Sequence, residues 1–105
     1  MGRSKNAGAK GRPAAVGSTE RVARAAIQYR NGTTYAVDRP GRHHDVIRLM
    51  DRCGVSARAT DGAEQGFELD DGRFVGREEA ARIAIASGQI ERTRWGRELF
   101  SEDLW

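Results

Sequence analysis

Residues 66–90, GFELDDGRFVGREEAARIAIASGQI, predict a strand, a tight turn, a second strand and a helix in direct succession. Phe67 and Leu69 alternate with charged residues, which is typical of a strand with one buried face. The Asp-Gly pair at 71–72 is a favoured two-residue hairpin turn, and its use would place Phe74 opposite Leu69. The stretch therefore predicts a β-hairpin.

The helix that follows this hairpin has its start and stop signals in the sequence. Gly76 is an acceptable N-cap. Glu78 and Glu79 lie in the first turn, where the helix dipole favours carboxylates. Gly88 can end the helix in the left-handed conformation.

Residues 25–54 repeat the order of hairpin and helix. Asn31-Gly32 separates two apolar runs, and a two-residue loop there would put Ile27 opposite Ala36. A three-residue loop over 30–32, with a left-handed glycine, instead gathers apolar side chains on one face. We favour this longer loop, and the residues that it gathers are Ile27, Tyr29, Tyr35 and Val37.

Residues 43–53 predict the first helix, which ends at Gly54 with Val55 packing back on the last turn. One side of this helix carries Val46, Ile47, Met50 and Cys53. We therefore expect the single cysteine to be a buried small hydrophobe and not a reactive thiol.

The order hairpin, helix, hairpin, helix predicts an α+β fold of two layers. The simplest packing is a four-stranded antiparallel sheet with both helices on one face, in ββαββα order. Residues 20–105 are expected to form this single domain, including an aromatic segment at 95–105. That segment is too apolar for a free tail: it either folds back, with Ser101 capping a terminal turn, or docks on a partner.

Residues 1–19 predict a disordered basic tail, because they have too few bulky apolar residues to offset the entropy of ordering. Lys10 and Arg12 belong to a Lys-Gly-Arg-Pro run that resembles the core of an AT-hook, a minor-groove-binding arm. The alternative is an unspecific basic tail that adds salt-dependent affinity for nucleic acid.

The net charge of +3 comes from the first part of the chain. Residues 1–24 carry six Lys or Arg and one Glu, whereas residues 25–105 carry twelve Lys or Arg and fourteen Asp or Glu. Phosphate attraction in the domain must therefore come from local clusters. With no long apolar run, we expect no membrane contact and a place in the cytoplasm of the host cell.

Three segments in this order resemble a family of small phage and prophage proteins. They are residues 66–90, the run Arg42-His43-His44-Asp45-Val46-Ile47, and the ending LFSEDLW. The resemblance covers roughly residues 25–105. It implies a viral or prophage context and a small, non-enzymatic protein.

Both helix starts carry residues suited to an anion, since free backbone N–H groups there attract phosphate. Arginine offers a bidentate fork, and histidine can donate to the same oxygen atoms. The candidate ligand-binding residues are Arg42, His43, His44, Arg73 and Arg77, with Tyr35 or Trp105 for aromatic stacking. The simpler alternative is helix capping and ordinary surface ion pairing.

We expect no metal, cofactor or catalytic residue. His43 and His44 are the only histidines, and adjacent helix positions point about 100° apart, so one zinc ion is not easily chelated. Serine-elbow, paired-cysteine and Walker-type motifs are missing, which argues against an enzyme.

The leading hypothesis is therefore a phage accessory protein that binds a nucleotide or a nucleic-acid backbone. The alternative is a protein-interaction module, such as a viral inhibitor of a host protein, that docks on a host or phage partner through LFSEDLW or the sheet face. An unprotected sheet edge also permits a homodimer.

Overall fold

A computed structural model describes residues 20–105, which fold into a four-stranded antiparallel sheet and two α-helices. The strands are β1 (Val22–Gln28), β2 (Thr34–Val37), β3 (Glu64–Leu69) and β4 (Phe74–Gly76), and the helices are α1 (His43–Arg52) and α2 (Arg77–Ala86). The strand order across the sheet is β2-β1-β3-β4, so β1 and β3 lie at the centre. The predicted α+β fold and its ββαββα order are confirmed.

The first hairpin has the three-residue loop that the apolar pattern favours. Ile27 lies opposite Tyr35, and the Tyr29 N–H donates to the Thr33 carbonyl at 2.8 Å. Gly32 has a φ of 92°, the left-handed conformation that a bulged loop requires. This register directs the aromatic side chains of the hairpin toward the core.

The second hairpin also has a three-residue loop, so the predicted two-residue turn is wrong. Phe74 lies opposite Glu68, not Leu69, and the Leu69 N–H donates to the Arg73 carbonyl at 2.9 Å. The shift by one residue exchanges the faces of β4. It buries Val75 opposite Phe67 in the core and turns Phe74 to the other face of the sheet.

Phe74 covers the sheet centre at Gly66. A Cβ atom at Gly66 would lie 2.2 Å from the Val75 carbonyl oxygen and 2.7 Å from the Phe74 ring, so no side chain fits there. A glycine in a central strand commonly marks such a close approach.

Both helices contribute to one core that lies against the sheet. α1 lies over β1 and β2, whereas α2 contacts β3, β4 and β1. Each helix ends at a left-handed glycine, Gly54 or Gly88, as predicted. At the end of α1 the Val55 N–H donates to the Met50 carbonyl at 2.9 Å, the bond that defines a Schellman motif.

Cys53 is exposed, so the prediction of a buried cysteine is wrong. The buried side of α1 consists of His43, Val46 and Met50, and Ile47 is exposed at the margin of that side. Cys53 is the C-cap residue, where the chain leaves the helical path and the helical periodicity no longer decides which side chain is buried.

Neither helix of the described part has the length or the apolar run that a membrane crossing needs.

Gln89 joins the end of α2 to the first strand. Its side-chain oxygen accepts from the Val22 N–H at 2.8 Å, and its amide nitrogen donates to the Val22 carbonyl at 2.9 Å. The side chain thus supplies both hydrogen bonds that a neighbouring strand would supply at this position of β1.

We predict that Gln89→Ala lowers the free energy of unfolding by about 2 kcal/mol, because it removes both partners of a buried peptide group. Gln28→Ala is the matched control: Gln28 makes one 3.3 Å bond to Thr34, and we expect its loss to cost less than about 1 kcal/mol. Denaturant unfolding measures both. Equal costs would show that the Gln89 contact contributes nothing specific.

Candidate functional site

Three predicted anion-binding residues lie together, but the chain itself occupies the space between them. Arg42 donates to the backbone oxygen of Trp105, and Arg77 donates to the Leu99 carbonyl at 2.8 Å. Leu99 is fully buried and Leu104 packs against the core. The C-terminal segment thus lies across the two helix starts and uses the donors that we predicted for a ligand.

His43 is a buried structural residue at this place. Its Nε2 lies 2.6 Å from the Gly66 carbonyl oxygen, so Nε2 carries the proton and donates. The ring meets Phe67 edge to face at 4.9 Å between centroids. Burial lowers the pKa of His43 to about 4, and the nearby Arg77 charge acts in the same direction, so the ring is neutral at pH 7.

The other predicted residues do not join this group. His44 is exposed, with Nε2 3.5 Å from an Asp45 oxygen, and Arg73 pairs with Glu20 and Asp71. Tyr35 is half-buried against the core.

Trp105 does lie beside Arg42, with its indole N–H donating to the Gly41 carbonyl at 2.8 Å. The guanidinium of Arg39 lies 5.5 Å from the centre of its ring. The predicted tail residues Lys10 and Arg12 lie outside the described residues.

Residues 20–105 contain no group of three or more histidine, cysteine, aspartate or glutamate residues that could hold a metal ion.

The largest exposed aromatic surface belongs to Trp95, in a loop of residues 91–98 that we call the Trp95 loop. The Trp95 side chain is 57% exposed although two neighbours hold its ring. Phe100 meets it edge to face at 5.6 Å between centroids, and the Arg94 guanidinium lies 5.7 Å from its centre. The indole is therefore restrained by two contacts and still remains more than half exposed.

Arg77 contacts Phe100, the residue that packs against Trp95. Its guanidinium lies 4.4 Å from the centre of the Phe100 ring and also donates to the Gln65 side chain. Burial lowers the pKa of Arg77 below its ordinary value, yet a guanidinium stays charged at neutral pH. Arg77 thus lies over Phe100, which packs edge to face with Trp95, and these contacts connect the loop to the start of α2.

Asp103 fixes the Trp95 loop to the C-terminal segment. Its side chain is only 2% exposed and accepts from the Phe100 N–H at 2.9 Å and the Arg94 N–H at 3.3 Å. These bonds close the 3-10 turn Ser101–Asp103, whose N-cap is Phe100. The predicted terminal turn is present, but Ser101 is its first residue and not its cap.

A tight turn sets the position of Trp95 within the loop. The Thr93 hydroxyl donates to the Gly96 carbonyl, and Gly96 has a φ of 70°. Such a turn needs glycine at the left-handed position. Trp95 lies directly before this glycine, so the turn fixes the path of the backbone on both sides of the tryptophan.

Three exposed arginines belong to the loop or lie beside it. Arg82, Arg92 and Arg97 form no side-chain hydrogen bond or ion pair with another described residue. Arg82 and Arg97 line a cleft of about 250 Å³ between α2 and the loop, where Ile85 is 45% exposed and Glu78 contributes a carboxylate. The exposed Trp95 indole, Arg92 and Arg97 thus belong to the same loop.

The residues around Trp95 are not among the ligand-binding residues predicted from the sequence. The signal for this site is the run Arg92-Thr-Arg-Trp-Gly-Arg97, in which three arginines surround one tryptophan. Basic residues interleaved with an aromatic are typical of surfaces that bind nucleic acid. In the sequence, Trp95 begins an apolar segment that is predicted to fold back or dock, and the structure shows that its indole stays exposed.

Comparison with known proteins identifies a family. The model of the phage T4 y16D protein family matches residues 21–105. The chain belongs to this family, which confirms the resemblance to small phage proteins. No curated protein and no solved structure matches the chain.

We predict that His43 makes the protein less stable as the pH falls. The histidine pKa is about 4 in the folded state and about 6.5 when unfolded, so the unfolded chain binds more protons between these values. The His43 contribution is complete above pH 6.5 and is lost as the pH falls toward 4. From pH 7 to pH 5 this loss is about 2 kcal/mol.

Denaturant unfolding of the wild type and of His43→Gln at both pH values measures this effect. The glutamine amide can still donate toward the Gly66 carbonyl but does not titrate. We expect its pH dependence to be smaller by that amount. An unchanged pH dependence would contradict a buried neutral histidine.

Proposed function

We propose that this member of the phage T4 y16D protein family binds a phosphate-bearing ligand, a nucleotide or a nucleic acid, through the Trp95 loop. The observation that carries the proposal is the exposed indole of Trp95, fixed by Phe100 and Arg94 among unpaired arginines. The ligand class is the one expected from the sequence, and the place differs.

A nucleobase is a suitable ligand for the exposed surface of the Trp95 indole. Stacking of a base on an aromatic side chain contributes about 1–3 kcal/mol. The Trp95 ring is already held by Phe100 and the Asp103 hydrogen bonds, so little side-chain entropy is lost on binding. A ring that served only the core would be expected to be buried.

Phosphate groups complement the arginines around the ring. Arg82, Arg92 and Arg97 have no ion pair with a described residue that a ligand would have to replace. A guanidinium binds phosphate oxygens in a bidentate manner, which gives direction as well as attraction. The basic residues Lys10 and Arg12 of the tail would add salt-dependent attraction.

The helix starts are less suitable than the Trp95 loop for this ligand. Arg42 and Arg77 already donate to backbone oxygens of the C-terminal segment, and His43 donates to Gly66. A phosphate there would have to displace the fully buried Leu99. These contacts also limit the alternative of docking through LFSEDLW, because its leucines face the core.

We predict that Trp95→Ala weakens nucleotide or nucleic-acid binding about tenfold, since it removes the stacking surface. Arg97→Gln should weaken binding and reduce its salt dependence by about one phosphate contact. Arg52→Gln is the matched control, because Arg52 is equally exposed and lies at the far end of α1.

Fluorescence anisotropy with labelled nucleotides and oligonucleotides over a salt series measures these effects. Thermal melting confirms that each variant is folded. An equal loss of binding in Arg52→Gln and Arg97→Gln would show that the ligand does not bind at the Trp95 loop. No binding of any probe by the wild type would refute the proposal.

A further inference from the structure

We infer that the ligand of the Trp95 loop is a single-stranded nucleic acid, and that an acidic cleft beside the loop disfavours the duplex. This inference rests on the proposed function and makes it more specific. Two observations carry it: the exposed tryptophan of the loop, and the charge of the surface that adjoins its arginines.

The stacking surface suits an unpaired base. A base inside a duplex is covered on both faces by its neighbours, so an aromatic side chain cannot stack on it without opening the helix. In a single strand the faces of the bases are accessible. Stacking is tolerant of sequence because every base has an aromatic face. The Trp95 indole is 57% exposed and is restrained by contacts with Phe100 and Arg94. It therefore suits one splayed base.

The neighbouring cleft carries the opposite charge. A cleft of about 680 Å³ is lined by four glutamates, Glu64, Glu78, Glu79 and Glu98, which outnumber its two arginines, Arg77 and Arg82. Glu78 and Arg82 line both this cleft and the smaller cleft beside the Trp95 loop, so the two surfaces adjoin along α2. Arg82 and Arg97 thus form a narrow basic strip, and Glu78 and Glu98 lie directly beside it as an acidic margin.

A narrow basic strip distinguishes one strand from two. Duplex DNA carries about one negative charge per 1.7 Å of its axis, twice the density of either strand. A duplex placed on Arg82 and Arg97 would bring phosphates of its second strand toward the glutamates. A single strand can follow the arginines and avoid them, so like-charge repulsion favours the strand.

A strand also uses more of the surface than a mononucleotide does. Arg82 and Arg97 lie at the small cleft, and Arg92 is a further exposed arginine of the same loop. One mononucleotide that stacks on Trp95 brings a single phosphate group to these arginines. A strand of several nucleotides brings several, and its affinity should be higher.

The test uses the full chain and three probes: a labelled oligothymidylate of about twelve nucleotides, a duplex of the same length, and thymidine monophosphate as a competitor. We expect the single strand to bind at least about tenfold more tightly than the duplex. Trp95→Ala should weaken strand binding about tenfold and leave duplex binding unchanged. The mononucleotide should compete only weakly.

The acidic margin is tested by the double variant Glu64→Gln, Glu98→Gln. We expect it to raise duplex affinity several-fold and to change strand affinity much less. Both residues are exposed, and melting temperature checks the fold. Equal gains for duplex and strand would show that the glutamates do not select between them, which would overturn that part of the inference.

The remaining outcomes separate this inference from the function on which it rests. A mononucleotide that competes as well as the strand would overturn the inference and leave nucleotide binding in place. A duplex that binds as tightly as the strand, with no effect of Trp95→Ala, would also overturn it. Absence of binding by all three probes would remove both.

Discussion

The guanidinium of Arg77 connects the parts on which the rest of the structure depends. It donates to the Leu99 carbonyl and to Gln65 of β3, and it lies under the ring of Phe100. The start of α2, the sheet and the C-terminal segment are thereby held together by one half-buried cation. Because Phe100 in turn supports Trp95, the geometry of the exposed loop follows from a contact inside the fold.

At the two helix starts, the arginines that we predicted for an anionic ligand bind backbone oxygens of the protein itself. The arginine side chains at these positions do bind oxygen atoms, as the sequence predicted. The oxygens are those of the Leu99 and Trp105 backbone, more than twenty residues away along the chain. Residue types at a helix start indicate a site for oxygen acceptors, but they do not tell whether the acceptors belong to an anionic ligand or to the protein's own backbone.

Local turn chemistry explains which parts of the fold were predictable. Gly32, Gly54 and Gly88 are left-handed because their immediate neighbours form turns and helix ends, and the sequence alone identified them. The register of the second hairpin was not predictable in this way. The Asp-Gly pair permits loops of two or three residues, and the choice depends on burying Val75 against Phe67, which is a property of the assembled core.

The difference between local sequence signals and contacts of the assembled core also explains why the candidate site was not predicted. Sequence reasoning found the residue classes, arginine with an aromatic ring, but placed them at Arg42, Arg77 and Trp105, where burial and internal bonds occupy them. Whether an aromatic ring is open depends on contacts between distant segments, as the support of Trp95 by Phe100 shows. Asp103 restrains the same loop although its carboxylate is buried. A buried carboxylate thus restrains the backbone of the loop while the indole stays exposed, so the order of the loop does not depend on burial of its aromatic ring.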